Sequence, residues 1–307
     1  MPALENTFLF AEPSLEYIAG FLDADGTIGV SKTKCSTTRT GVRYSLRLSL
    51  SNTSKEVLEL IQNTLPKGRI IKLELKKPRK WKTNWQLGFS GLNAKEVLHK
   101  LMPYLVIKHP QAELALKFQD LLSTTPYTWV NNPLTKDAWE HREYYYQEIK
   151  RLKKSKKMKT SPSSPSLPYI AGFFDGDGCV MICRRHNKET SKRMIYDLFL
   201  TFTNRNKRFL KCLQHILGAG AITRRIFKNT KWNTSYMLVL ASKKAEAILK
   251  KLLPYLIIKR SRAELGLDFQ KTKKSRSHIS NSEWLLMESY YKNMGQLNRR
   301  GDWNAIS

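Results

Sequence analysis

"YIAGFLDADGTIGV" occupies residues 17–30, and "YIAGFFDGDGCVMI" occupies residues 169–182. A fourteen-residue pattern that returns 152 positions later predicts a chain built from two copies of one unit. Each copy starts as an apolar helical stretch, Ile18 to Asp25 in the first, closed by Gly26. That glycine is expected to cap the helix in the left-handed conformation. Both copies put acids in the last helical turn: Asp23 and Asp25, then Asp175 and Asp177. A helix C-terminus carries about half a negative charge, so an anion there is disfavoured by about 0.3–1 kcal/mol. Stability alone would prefer Lys or Arg, and a cation bound nearby would offset the repulsion. Gly20 and Ala24 share one helical face, as do Gly172 and Gly176. Small residues at this spacing let helix backbones approach closely, as they do in membranes. If the two faces pack together, the two acidic ends become neighbours.

The repeat runs almost the length of the chain. Asn52 returns as Asn204, Trp81 as Trp232, "PYLVIK" (103–108) as "PYLIIK" (254–259), and "QAELALKFQ" (111–119) as "RAELGLDFQ" (262–270). Trp139, Tyr145, Tyr146 and Ile149 keep the spacing of Trp284, Tyr290, Tyr291 and Met294. Each unit reads as helix, two strands, helix, two strands, helix, helix. In the first the elements fall near 14–25, 27–35, 43–52, "KEVLELIQNTL" with Ser54 as N-cap, 69–77, 83–90, 93–101 and 109–122. Gly218 and Gly220 of "LGAG" are turn residues and not a dinucleotide-binding loop, because there is no G-x-G-x-x-G. The units are expected over 1–152 and 167–307, joined by a basic, Ser- and Pro-rich linker at 153–166.

At 307 residues the chain can hold two cores, and its net charge of +29 points to a polyanionic partner, DNA or RNA. A hydrophobic content of 41% excludes a disordered basic tail, and no apolar run reaches the roughly 18 residues of a membrane span. "MPALENTFLFAEP" has neither a secretory signal's basic start and cleavage site nor an Arg-rich transit character, so action in the compartment of synthesis is expected. Cys35, Cys179, Cys183 and Cys212 do not make a disulfide framework. Cys179, Cys183 and His186 loosely suggest a metal site, but strand alternation turns His186 away from the cysteines and zinc needs a fourth ligand.

The strands alternate. Leu46, Leu48 and Leu50 face inward, while Ser45, Arg47, Ser49 and Ser51 face out. Leu198, Leu200 and Phe202 repeat the inner face, and Asp197, Phe199, Thr201 and Thr203 the outer one. The same outer surface is expected to carry Thr27, Gly29, Ser31 and Thr33, matched by Cys179, Met181, Cys183 and Arg185. Later strands add Lys72, Glu74, Asn84 and Gln86, matched by Thr223, Arg225, Ser235 and Met237. A shared core beneath two divergent outer faces suits recognition of an asymmetric DNA sequence. A twisted antiparallel ribbon can enter the major groove and read base edges, with Lys and Arg holding phosphates.

"IAGFLDADG" and "IAGFFDGDG" closely resemble the motif of the LAGLIDADG homing endonucleases, and the doubling resembles their single-chain, pseudo-symmetric branch. The resemblance covers about residues 14–270. It implies an α+β architecture: two tandem αββαββα units about a pseudo-two-fold axis, with antiparallel sheets forming a saddle over double-stranded DNA. Asp25 and Asp177 would ligate a divalent metal, Mg²⁺, with Mn²⁺ or Ca²⁺ able to replace it for binding. Lys108 and Lys259 would support the activated water or the transition-state charge, and a further catalytic polar position would fall near Ser54 and Asn206. Metal-assisted phosphodiester hydrolysis needs a nucleophilic water and a stabilised leaving oxygen, and Mg²⁺ binds through one or two carboxylates plus substrate phosphates. Asp23 and Asp175 point elsewhere on the helix and read as structural.

The function so implied is a site-specific endonuclease that makes double-strand breaks at a long asymmetric target, in intron or intein homing. It would act as a monomer with no obligate protein partner and no membrane, and a chloroplast or mitochondrial setting is suggested by the resemblance. Two alternatives share the scaffold: an intron maturase acting in RNA splicing, and a DNA-binding regulator without cleavage. Both motif acids and both lysines are present, which favours cleavage. Trp284, Tyr290 and Tyr291 are expected to pack against the second core.

Overall fold

Ser14 opens the first helix by accepting a hydrogen bond from the Tyr17 amide at 3.3 Å, and Ser166 does the same for Tyr169 at 3.4 Å. The computed structural model describes residues 12–36, 41–73, 83–124, 135–154, 164–186, 194–225, 234–273 and 280–300. In the first half, α1 (Leu15–Asp25) leads to β1 (Gly26–Lys34), β2 (Val42–Asn52), α2 (Lys55–Thr64), β3 (Arg69–Leu73), β4 (Asn84–Ser90), α3 (Gly91–Leu101), α4 (His109–Thr124) and α5 (Lys136–Lys154). The second half repeats the order: α6 (Leu167–Asp177), β5 (Gly178–His186), β6 (Met194–Asn204), α7 (Lys207–Leu217), β7 (Ala221–Arg225), β8 (Ser235–Ala241), α8 (Ser242–Leu252), α9 (Arg260–Thr272) and α10 (Asn281–Arg300). Each half is an α+β unit around a four-stranded antiparallel sheet, in the order β1-β2-β4-β3 and β5-β6-β8-β7. No helix among the described residues is long and apolar enough to cross a membrane.

Strand alternation follows the sequence. Leu46, Leu48, Leu50, Leu198, Leu200 and Phe202 are all buried, and the helices pack over them. The trailing helices are fastened alike: the Tyr44 hydroxyl donates to Glu143 on α5, and the Tyr196 hydroxyl to Glu288 on α10. Trp284, Tyr290 and Tyr291 pack against the core as expected. α5 continues through Lys153 and Lys154, which the sequence had suggested as linker, and residues 155–163 lie outside the described residues.

α1 and α6 meet main chain to main chain. A Cβ on Gly20 would stand 2.0 Å from the Tyr169 carbonyl oxygen, and one on Gly172 would stand 2.0 Å from that of Tyr17. Phe21 and Phe173 are fully buried beside this contact, each contributing about 1.5–3 kcal/mol by the usual transfer scale.

Two expectations need correction. Gly26 is not a left-handed cap: its φ of −93° and ψ of 170° are extended, and it is the first residue of β1. Glycine is needed there for space, since a Cβ would meet the Leu22 side chain at 2.2 Å and its carbonyl oxygen at 2.6 Å. Lys72 is on the wrong face. It pairs with Trp85, whereas Gln86 pairs with Ile71, so Arg69 and Ile71 share the outer face with Gln86. The repeat offset changes by one after β3, and a one-residue slip moves every side chain across the sheet. Glu74 lies outside the described residues.

Candidate active site and nucleic-acid interface

The end of α1 is held by its own acid. The buried Asp23 carboxylate accepts hydrogen bonds from the amides of Val106 (2.8 Å), Ile107 (2.8 Å) and Lys108 (2.7 Å), and from the Tyr169 hydroxyl (2.6 Å). Asp175 does the same with the amides of Ile257, Ile258 and Lys259 and with the Tyr17 hydroxyl at 2.7 Å. These acids are structural, and each tyrosine comes from the other half.

The lysines answer the helix-end problem. Lys108 Nζ donates to the carbonyls of Leu22 (2.7 Å), Asp23 (2.6 Å) and Ala24 (3.4 Å). Lys259 Nζ donates to those of Phe174 (2.9 Å), Asp175 and Gly176 (3.4 Å). An ammonium therefore sits among the carbonyls of the last turn, where the dipole is negative. Burial pushes both lysines below their ordinary pKa, while the surrounding aspartates pull them back up. With three carbonyls around each amine, these lysines act as fixed positive charges.

Asp25 and Asp177 project from the two adjoining helix ends. A Cβ on Gly176 would lie 3.3 Å from the Asp25 carboxyl carbon, so the acid rests against the other motif. Asn52 Nδ2 donates to Asp25 at 3.1 Å, and the Asn204 side chain hydrogen-bonds Asp177. Burial pushes Asp25 up, against Lys259 first and then Asn52 and Lys108. Asp177 is pushed up to about 6 by burial and then by the Asp25 charge, against Lys108 and then Lys259. Of the two lysines, the one from the other half bears more strongly on each acid. Two half-buried carboxylates that repel one another, both reached by ammonium groups, suit a divalent cation that holds them ionised. Among the described residues no group of three or more His, Cys, Asp or Glu converges, so such an ion would complete its shell with water and substrate oxygens. Cys179, Cys183 and His186 likewise form no such group.

Ser54 and Asn206 stand behind this cluster: their amides donate to Asn52 Oδ1 (3.0 Å) and Asn204 Oδ1 (2.8 Å), the side chains that hydrogen-bond the two acids. Ser54 caps α2, accepting from the Val57 amide at 3.4 Å, and Asn206 caps α7, accepting from the amides of Arg208 (3.1 Å) and Phe209 (3.3 Å). Both are buried, and the oxygen of each side chain is engaged at a helix start, which sets them apart from the directly bonded Asn52 and Asn204. The polar groups beside the acids are Asn52 and Asn204, two residues earlier, whose exact repetition was the signal. Two further cations flank the lysines, and they come from different elements. Lys153 Nζ on α5 lies 2.6 Å from where a Cβ on Gly29 would be, and its charge adds to the lowering of Lys108. Arg262 on α9 donates to the carbonyls of Ile258 (3.3 Å) and Leu297 (2.8 Å) and bears in the same way on Lys259.

On the outer face of the first sheet, Ser31, Thr33, Ser45, Arg47, Ser49, Ser51, Asn84 and Gln86 share one side. Arg47 Nε reaches Ser31 Oγ at 3.5 Å, and Gln86 Nε2 donates to Ser51 Oγ at 3.2 Å. Gly29 is buried beneath Lys153 and offers no side chain. Arg43 and Arg69, both exposed, also stand on this face, which the alternation of the leucines alone does not mark. In the second sheet Met181, Cys183, Arg185, Phe199, Thr203, Thr223, Arg225 and Met237 share the corresponding face. Asp197, Thr201 and Ser235 lie on it by register but are buried, which removes them from the set of free contacts.

A family model described as LAGLIDADG endonuclease matches residues 18–121 and again 170–275. Among solved structures, one of I-SmaMI bound to uncleaved DNA target in the presence of calcium ions superposes with a TM-score of 0.71 at 17% identity, covering 92% of this chain and 99% of that one. I-GzeII in complex with its DNA target gives 0.71 at 15% identity, covering 91% and 97%. I-LtrWI bound to target DNA gives 0.70 at 18% identity, covering 91% and 96%. At these identities the likeness establishes the shared architecture. No curated protein matches the sequence.

Proposed function

Because the chain belongs to the LAGLIDADG endonuclease family, in its single-chain two-motif form, we propose that it cuts both strands of a long, asymmetric DNA site by metal-dependent phosphodiester hydrolysis, as an intron- or intein-homing enzyme. One observation carries this: the two motif helices abut at Gly20 and Gly172, and this brings Asp25, Asp177 and both lysine amines into one electrostatic cluster.

Asp25 and Asp177 would hold Mg²⁺. When bound, Mg²⁺ would supply a water acidic enough to lose a proton to solvent and attack phosphorus as hydroxide, and a counter-charge for the departing oxygen. Asn52 and Asn204 orient the two carboxylates. Lys108 and Lys259, fixed by helix carbonyls, present positive charge toward the phosphate being cut without giving up a proton. Lys153 and Arg262 extend that field along the backbone. The outer sheet faces supply base contacts, and the excess of Lys and Arg supplies salt-dependent affinity.

The test is incubation of the full chain with a randomised duplex library, with Mg²⁺ or with EDTA. Double-strand cuts at a recurring sequence, lost in EDTA, are expected. Binding of RNA alone would replace this function with the maturase role, and sequence-specific duplex binding without cuts would replace it with a regulator.

A further inference from the structure

β6 outruns its neighbour. It pairs with β8 only from Phe199, opposite Ala241, to Asn204, opposite Tyr236. Beside the stretch from Met194 to Leu198 no strand among the described residues lies on that side. Asp197 stands there, 3% exposed, on the face it shares with Cys183 and Arg185 and opposite the buried Tyr196 and Leu198. Ser242 and Lys273 take the place of the missing strand. Ser242 Oγ donates to Asp197 Oδ1 at 3.1 Å, and Lys273 Nζ pairs with the same oxygen. The other oxygen accepts from Arg185 Nε at 3.2 Å, with Nη2 also 3.2 Å away. Burial raises the Asp197 pKa, but Lys273, Ser242 and Arg185 together outweigh it and hold the carboxyl below its usual range.

Among the described residues the first half has no such hub. Ser45 takes the place of Asp197 there, and its hydroxyl donates to the adjacent Leu46 carbonyl at 3.4 Å. Ser242 occupies a left-handed backbone position at φ 51°, where the first half has Gly91 at φ 56°. A side chain is disfavoured in that conformation, yet this one supplies a donor to Asp197. A bare carboxylate on a DNA-facing surface would repel phosphates. Here it is buried and covered by two cations, and the Arg185 side chain remains 60% exposed. Its Nη1 has no partner among the described residues.

We propose that Asp197 is a specificity-determining positioning residue, fixing Arg185 so that the uncommitted edge of its guanidinium reads a guanine in the major groove beneath the second sheet. Arginine pairs with guanine O6 and N7 through two parallel hydrogen bonds, which demands a set orientation. The inference rests on the proposed DNA-binding function and adds a base and a residue to it.

The experiment is a binding selection with the full-length protein in Ca²⁺, using a randomised duplex library, followed by competition binding of every single-base variant of the selected site. Wild type, Arg185→Ala, Asp197→Asn and Ser242→Gly are compared. Arg185→Ala and Asp197→Asn are expected to lose preference for guanine at one and the same base pair, by about tenfold or more. The other positions keep their order. Ser242→Gly, which restores the residue of the first half, keeps the fold and shows a smaller loss at that position. An unchanged base profile in Asp197→Asn overturns the inference, as does a uniform loss across all positions, which would mark a phosphate clamp. If Asp197→Asn does not fold, Ser242→Gly decides: no change at the Arg185-dependent position overturns the proposal. A wild-type protein that selects no sequence overturns the DNA-binding function along with it, whereas a selected site with unaltered variants overturns this inference alone.

Discussion

Tyr17, in the first motif helix, donates its hydroxyl to Asp175 at the end of the second, across 2.7 Å, and Tyr169 returns the bond to Asp23 across 2.6 Å. The residue that opens each motif therefore completes the acid that closes the other. Tyr17→Phe and Tyr169→Phe should each destabilise the protein by about 1.5–3 kcal/mol, the usual worth of a hydrogen bond to a charged group. A urea midpoint lowered at unchanged slope would show it, and no shift in either variant would remove the tyrosines from the interface account.

Gly20→Ala and Gly172→Ala should be worse. The new methyl has a backbone oxygen 2.0 Å away, and neither helix can yield by rotating a side chain. The expected loss exceeds about 3 kcal/mol, the upper range for overpacking a core. Thermal melting is the measurement, and a drop of under a few degrees would mean that the helices part easily.

Asp25→Asn and Asp177→Asn should cut cleavage by at least about a thousandfold, near 4 kcal/mol of barrier at 1.36 kcal/mol per decade. Binding of the target in Ca²⁺ should stay within several-fold. Retention of double-strand cutting in either variant would take the carboxylates out of the catalytic role.

Asp177 makes the protein pH-sensitive. Its pKa is near 6 in the fold, against the usual carboxylate value near 4 when unfolded. The native state then holds the proton more tightly than the unfolded state between those values, so stability without metal falls as pH rises from about 4 to about 6. Mg²⁺ or Ca²⁺ needs the ionised form, so its stabilising shift in melting temperature should be larger at pH 7 than at pH 5. Equal shifts at both pH values would contradict a metal held by this acid.

Much of this was legible because the chain states its pattern twice. The apolar alternation of Leu46, Leu48 and Leu50, kept at Leu198, Leu200 and Phe202, fixed the inner faces of both sheets, and the glycine spacing fixed the helix contact. Asp23 and Asp175 were separable from Asp25 and Asp177 by their place on the helix. What stayed hidden was tertiary. Lys72 was misplaced because a one-residue change in the repeat falls beside a short strand, where period two gives no warning. Ser54 and Asn206 look like reactive polar groups until the helices they cap are seen. Lys153 and Arg262 occupy different sequence positions in the two halves, and only folding shows that each brings a charge to its own lysine.

The glycine contact also decides what this scaffold can vary. With peptide planes of α1 and α6 pressed together at Gly20 and Gly172, the gap between the two carboxylates is set by backbone dimensions. Mutations spread over the outer sheet surfaces can change what those faces touch, while the spacing of the two carboxylates stays as constant as the width of a helix.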